Sequence, residues 1–256
     1  MILLQTLPLP VVGLGILIAL LLAMEAGFLL QRRMKARHPG KSAAAAAPDY
    51  LLSAVLGLLA LLLGFTFSLT LNRYEARRDL VVQEANAIGT TWLRAQLLEG
   101  PNRMAMSNLL RAYAKARIDW SHDPAPVPDS GATEAIQKKL WAETGVAIRT
   151  EPSAQLSNGL MVAMNESFDV ASARGVARSA HIPDEVLAML LLYAILSSGM
   201  LGHIMANRAQ PHRGATTLLL ALVSLAMVLI LDVDRPLGGA IQVSQKPLED
   251  LRASMK

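Results

Sequence analysis

The sequence predicts an all-α integral membrane protein with four transmembrane helices and a helical extramembrane domain between the second and third. Three observations carry this. Of the 256 residues 53% are hydrophobic, and mean hydropathy is +0.37, too apolar for an ordinary soluble domain. Four long apolar runs, at residues 7–30, 51–71, 186–206 and 215–231, each approach or exceed the roughly 20 residues that cross a bilayer. Between the second and third runs, apolar residues recur at helical spacing and no strand alternation competes. The expected domains are residues 1–71, holding two spans and a basic loop; 72–185, the extramembrane domain; and 186–256, holding two spans and a C-terminal tail.

The first run ends at Gln31-Arg32-Arg33. No Lys or Arg precedes Arg32, so the charged leading region of a signal peptide is missing and the run reads as a span. Residues 41–48 hold five consecutive alanines and read as a short linker. In the second run Ser53, Gly57, Gly64 and Ser68 are spaced 4, 7 and 4 and share one helical face, where small side chains let another helix approach closely.

Beyond the second span the chain stays free of Pro and Gly from Asn72 to Ile88, which predicts a helix leading out of the membrane as a rigid coupler. Val81, Ala85, Ile88 and Trp92 form its apolar stripe, and Leu97, Leu98, Leu109, Leu110 and Tyr113 continue a buried side past the break at Gly100-Pro101. Pro124, Pro126 and Pro128 mark a loop. Residues 133–146 and 152–180 read as two further helices, the second with Leu156, Leu160, Met164 and Phe168 near one face. An antiparallel helical bundle follows. Ile182-Pro183-Asp184-Glu185 then starts the third span, in which Ala194, Ser198, Gly202 and Ala206 repeat every four residues as a second face of small residues.

Charge is unevenly placed. Five Lys/Arg and one acid lie between Gln31 and Asp49, whereas residues 72–185 hold 13 Lys/Arg and 14 Asp/Glu. The basic excess is thus juxtamembrane rather than a nucleic-acid surface. The two short loops together hold seven Lys/Arg, which predicts that they are cytoplasmic and that the extramembrane domain lies on the non-cytoplasmic side of a bacterial inner membrane. Arg73, Arg77 and Arg78 beside the second span argue the other way. With no cysteine, disulfides, thiolate metal sites and a cysteine nucleophile are excluded.

With these parts in view, the chain resembles the bacterial bestrophin-like family of four-helix membrane proteins. The resemblance rests on Phe65-Thr66-Phe67-Ser68, on Arg73-Tyr74-Glu75-Ala76-Arg77-Arg78 and, most distinctively, on Glu84-Ala85-Asn86-Ala87-Ile88-Gly89-Thr90. It continues through Met164-Asn165-Glu166-Ser167-Phe168-Asp169, Leu231-Asp232-Val233-Asp234-Arg235-Pro236 and Leu251-Arg252-Ala253-Ser254-Met255. The family name implies a distant similarity to bestrophin anion channels, which are pentameric and keep their soluble mass in the cytoplasm.

The candidate functional residues are polar groups on helices that otherwise pack. Glu25 is the one acid inside an expected span; it is either a functional intramembrane carboxylate or a group reaching headgroups or Arg32. Arg77 and Glu84 are seven apart and share a face; Arg73, Arg78 and Asn86 lie on the same helix. Asn165, Glu166 and Asp169 cluster on the later helix, so Arg77 or Arg78 is expected to meet Glu166 or Asp169. These charges read either as interhelical salt bridges or as a ring at the mouth of an oligomeric pore. Gly57, Gly64, Ser198 and Gly202 are the expected helix-packing positions. No metal-ligand spacing, nucleophile elbow or Gly-rich phosphate loop occurs, so neither an enzyme nor a cofactor is expected. The leading function is an oligomeric channel or channel-like conduit for small ions, a homo-oligomer in the lipid bilayer. The alternative is a non-transporting scaffold or sensor whose helical domain binds a partner.

Overall fold

The computed structural model describes residues 7–37, 49–123, 131–207 and 212–256. The alanine-rich linker, the prolines at 124, 126 and 128, and the loop residues 208–211, with Lys41 and Arg208, lie outside the described residues. Eight helices follow in order among the described residues: α1 Leu9–Arg37, α2 Asp49–Ala95, α3 Gly100–His122, α4 Gly131–Thr150, α5 Ala154–Ser179, α6 Asp184–Met205, α7 Arg213–Asp234 and α8 Lys246–Ser254. Four of them are long and apolar enough to cross a membrane, and the protein is a multi-pass, all-α membrane protein.

The chain divides into two compact units. One comprises Met1–Leu71, His181–Arg235 and Gly239–Ile241; the other comprises Asn72–Ala180, Pro236–Gly238 and Gln242–Lys256.

In the first unit, α1, the opening part of α2, α6 and α7 bury Ile16, Leu20, Met24, Leu190, Leu201 and Ile230. Leu14, Leu22, Phe65, Met189, Leu196 and Leu225 stay exposed, as expected where the surrounding solvent is lipid. A Cβ on Gly27 would overlap the Gly199 carbonyl, and one on Gly202 would overlap the Met24 carbonyl, so α1 and α6 meet backbone to backbone. At this crossing the Ser198 hydroxyl donates to the Leu20 carbonyl (2.6 Å), and on α7 the Ser224 hydroxyl donates to the Gly13 carbonyl (2.8 Å). The α6 face of small residues is therefore a packing face. On α2, nothing among the described residues lies within 4 Å of a Cβ placed on Gly57 or Gly64, and Ser53 and Ser68 are exposed. The α6 partner α1 presents its own glycine at the crossing, whereas Gly57 and Gly64 of α2 face open space among the described residues.

The motif at the end of α7 is a clasp. The Asp234 carboxylate accepts the Ile182 N–H (3.1 Å) and lies 3.6 Å from His181 Nδ1, while Asp232 Oδ1 accepts the Ala240 N–H (2.7 Å). A side chain on Gly239 would overlap Asp232, which is why that turn needs glycine.

In the second unit the expected stripe is inside: Val81, Ala85, Ile88 and Trp92 are all buried, with Leu110, Tyr113, Leu140, Leu160 and Met164. Gly100 takes a positive φ of 59° and Pro101 stands at the start of α3, which together end α2 and begin the next helix. Ser153 caps α5 by accepting the Leu156 N–H (3.3 Å). Helix α8, which the sequence showed only as a tail, starts after Pro247 is placed in its first turn and sinks Leu248 wholly into the core. The Met255 carbonyl then accepts from Arg111 Nε (2.9 Å).

Candidate functional site

The site of interest lies in the second unit and is built around Glu84. Its spacing places it between Val81 and Ile88 on the buried face of α2, and no part of it reaches solvent. A carboxylate there requires ionic partners. Arg117 Nε of α3 donates to Oε1, and Arg174 Nη1 of α5 donates to Oε2. Arg117 Nη2 also donates to the Ala171 carbonyl (3.3 Å), and Arg174 Nη2 donates to Gln245 Oε1. Gln245 is held in turn, donating through Nε2 to the Val243 carbonyl (2.9 Å).

Trp120 follows Arg117 by one turn of α3 and carries three guanidiniums over its ring. The Arg117, Arg178 and Arg174 centres lie 4.2, 4.5 and 5.2 Å from the ring centroid, within the range of cation–π attraction. Arg178, four residues after Arg174, donates to the Trp120 and Asp123 carbonyls at the end of α3, where the helix dipole favours a cation. Burial lowers the pKa of Arg174, with Glu84 opposing the shift, and burial followed by the neighbouring Arg174 lowers that of Arg178. Guanidinium groups remain charged at neutral pH in spite of such shifts.

A cleft of about 70 Å³, partly open to solvent, runs beside this cluster. Arg77, Trp120, Arg174, Arg178, Gln242 and Gln245 contribute to its walls. Among the described residues no Asp or Glu lines it.

The expected pairing of Arg77 or Arg78 with Glu166 or Asp169 is corrected. Arg78, Glu166 and Asp169 are exposed and form no ion pair among the described residues; Asn86 and Asn165 are exposed too, and Arg73 is half-buried. The reason is the face on which α2 and α5 meet. Thr91 Oγ1 donates to the Ala163 carbonyl (2.9 Å) and lies 2.9 Å from Ser167 Oγ, and Asp169 is rotated by about 200° from Ser167 at roughly 100° per residue. Glu84 and Arg77 are buried as a shared face requires, but the partners of Glu84 are Arg117 and Arg174. Sequence reading missed Arg117, Trp120, Arg174 and Arg178. The available signal was arginine at four-residue spacing in α5, and arginine followed three residues later by tryptophan in α3.

In the first unit Glu25 faces Arg213, not Arg32. Arg213 Nη1 stands 3.1 Å from Oε1, and both Arg213 and Arg32 lie over the Phe28 ring. Among the described residues no group of three or more His, Asp or Glu is arranged to hold a metal ion.

A family model described as a Bestrophin-like domain matches residues 16–248. Among solved structures, a bacterial Bestrophin homolog from Klebsiella pneumoniae carrying a tryptophan-to-alanine mutation is 16% identical, with 95% of this chain and 98% of that chain covered and a TM-score of 0.69. A leucine-to-threonine mutant of the homolog from that organism is 14% identical over 94% and 97%, with a TM-score of 0.69. The zinc-phased structure of that organism's homolog is 15% identical over 93% and 94%, with a TM-score of 0.67. These likenesses establish the fold. No curated protein matches significantly.

Proposed function

The chain belongs to the Bestrophin-like domain family, and from that premise we propose that it is an oligomeric membrane channel, or channel-like conduit, for small ions. The observation that carries this reading is the bare side of α2. Ser53, Gly57, Gly64 and Ser68 lie in a membrane-crossing helix, yet nothing among the described residues covers Gly57 or Gly64. A stripe of small and hydroxyl side chains suits either a second copy of the helix or a polar lumen. Copies gathered through that side form a homo-oligomer whose half-buried Arg73 and exposed Arg78, Asn86, Asn165, Glu166 and Asp169 supply charge and polarity at a pore mouth. The protein resides in a bacterial inner membrane, with the basic loops in the cytoplasm and the helical domain on the other side.

Recording from the purified protein in planar bilayers tests conduction. Discrete conductance, with Gly57→Trp reducing it and Arg78→Glu shifting the reversal potential, is expected. Silence from a folded, correctly inserted protein overturns the reading. Orientation is tested separately. The chain has no cysteine, so Lys139→Cys is a unique label at an exposed position. Labelling of intact spheroplasts by an impermeant maleimide is expected; labelling only after lysis reverses the assignment.

A further inference from the structure

In the membrane unit, the end of α1 and the start of α7 gather two guanidiniums on one aromatic ring. The Arg32 centre of α1 lies 5.7 Å from the Phe28 centroid, and the Arg213 centre of α7 lies 5.0 Å from it. The face of a ring attracts cations, so two helices present their charge from one platform. Both arginines are exposed, as is Arg33. Glu25 pairs with Arg213, at 3.1 Å from Nη1 and 3.4 Å from Nη2, and a guanidinium has five donors, so others remain. Arg32 forms no ion pair among the described residues. Lys35 adds charge one turn beyond Gln31 while its Nζ donates to the Ala206 carbonyl (3.1 Å) at the end of α6.

A second, independent observation lies along α7. Gly214, Leu218, Leu222 and Leu225 follow one another at spacings of four, four and three, so they share one helical face. The three leucines are exposed, and nothing among the described residues lies within 4 Å of a Cβ placed on Gly214. The face therefore has a charged head with open space beside it and an apolar stem leading into the span. At about 1.5 Å per residue, Gly214 to Leu225 runs about 16 Å, close to half of a hydrocarbon core roughly 30 Å thick. That is the depth of one leaflet. A free anion would use the charged head alone, and a second copy of the chain would have no use for the two cations. A lipid whose headgroup is negative uses both parts, and the guanidinium fork matches its phosphate oxygens.

We propose that this face is a binding site for an anionic glycerophospholipid, whose headgroup phosphate is held by Arg32 and Arg213 and whose acyl chain lies along Leu218, Leu222 and Leu225. Gly214 leaves room for the headgroup. The lipid bridges α1 and α7 at the level where both helices leave the hydrocarbon. The site rests on the chain crossing a membrane, not on conduction or on which side the loops lie. Silent recordings leave it standing, and its failure leaves the channel standing.

The experiment uses the full chain in neutral detergent. Phosphatidylglycerol and phosphatidylcholine with the same acyl chains are titrated in turn, and bound lipid is counted by native mass spectrometry. A parallel arm titrates inorganic phosphate. The wild type is expected to retain phosphatidylglycerol in preference to phosphatidylcholine. Arg32→Gln should weaken that preference about fivefold, the worth of one basic side chain near a charged headgroup. Gly214→Glu should abolish it without lowering the melting temperature of the lipid-free protein, because an acid in the first turn suits the helix dipole and replaces a glycine. A merely structural role for this end of α7 would move binding and melting together. Equal retention of the two lipids by the wild type, or a preference that both folded variants keep, overturns the site. Saturable binding of inorganic phosphate with no lipid preference assigns the arginines to a free anion and overturns it too. So does a preference shown by monomers and lost in oligomers, which gives the face to a second copy. If Gly214→Glu does not fold, Arg32→Gln, at an exposed position, decides by the same criterion.

Discussion

The helix crossings of the two units treat polar groups in opposite ways. Where α1 crosses α6 and α7 in the membrane unit, the helices approach through glycine, and the polar contacts at those crossings are short bonds from serine to backbone carbonyls, at Ser198 and Ser224. In the second unit the core is filled by Leu, Met, Trp and Tyr, and it encloses a full carboxylate between two guanidiniums. The difference follows from the solvent each unit excludes. Lipid gives no hydrophobic drive between helices, so close van der Waals approach and neutral hydrogen bonds must hold α1 to α6. Water does give that drive, and large side chains can afterwards enclose an ion pair, provided that every member is bonded.

That contrast can be broken by mutation, and the largest effect is expected at Glu84. Glu84→Ala leaves Arg117 and Arg174 as unbalanced buried cations, and about 3–5 kcal/mol should be lost from the second unit. Chemical unfolding followed by tryptophan fluorescence measures it. A double-mutant cycle with Arg174→Ala should be strongly non-additive, and additive losses would mean that the contact carries no coupling. Replacing the triad jointly by Leu at 84, Met at 117 and Met at 174 should recover much of the loss, because a packed apolar core removes the desolvation cost.

Next comes Gly202→Ala. Its methyl group would overlap the Met24 carbonyl, and backbone cannot yield as a side chain tip does, so about 1–3 kcal/mol or more is expected. Thermal melts in detergent report it. Gly57→Ala, with open space around it, should leave the melting of isolated subunits unchanged and act only on assembly. Equal losses at both glycines would erase the distinction between the two faces. Ser198→Ala should cost roughly 0.6 kcal/mol, the usual size of one interhelical bond in a membrane, and steric trapping would detect it.

The smallest effect is a pH effect. Lys138 holds Glu134 below its ordinary carboxylate pKa of 4.5 through a hydrogen bond and charge attraction. A depressed folded pKa adds stability above the unfolded value, which is lost as pH falls through it. Both side chains are well exposed, so solvent screens the pair, and Lys138→Ala should leave the melting temperature between pH 7 and pH 3 on the wild-type curve.

Much of this architecture was legible in the residues alone. Four apolar runs of spanning length and the period of Val81, Ala85, Ile88 and Trp92 follow from local composition, because hydropathy and helical pitch are properties of neighbouring residues. Gly100-Pro101 marked its own helix boundary for the same reason, and Ser198 and Gly202 announced a close crossing. What local pattern could not contain was the identity of partners. Gly57 and Gly64 are as small as Gly202 of the α6 face, yet among the described residues Gly202 meets another helix and Gly57 and Gly64 meet nothing within 4 Å. Whether a small residue packs depends on what stands opposite, and the opposing residue is 178 positions away for Ser198 and Leu20. Glu84 shows the same division. Its buried face could be read from its place beside Ile88, but the choice of Arg117 and Arg174 as its partners depended on which faces of α3 and α5 turn inward. The tail behaved likewise. Nothing in its short polar sequence told that Leu248 would close the core of the second unit, since burial of a single leucine is set by the cavity that the other helices leave.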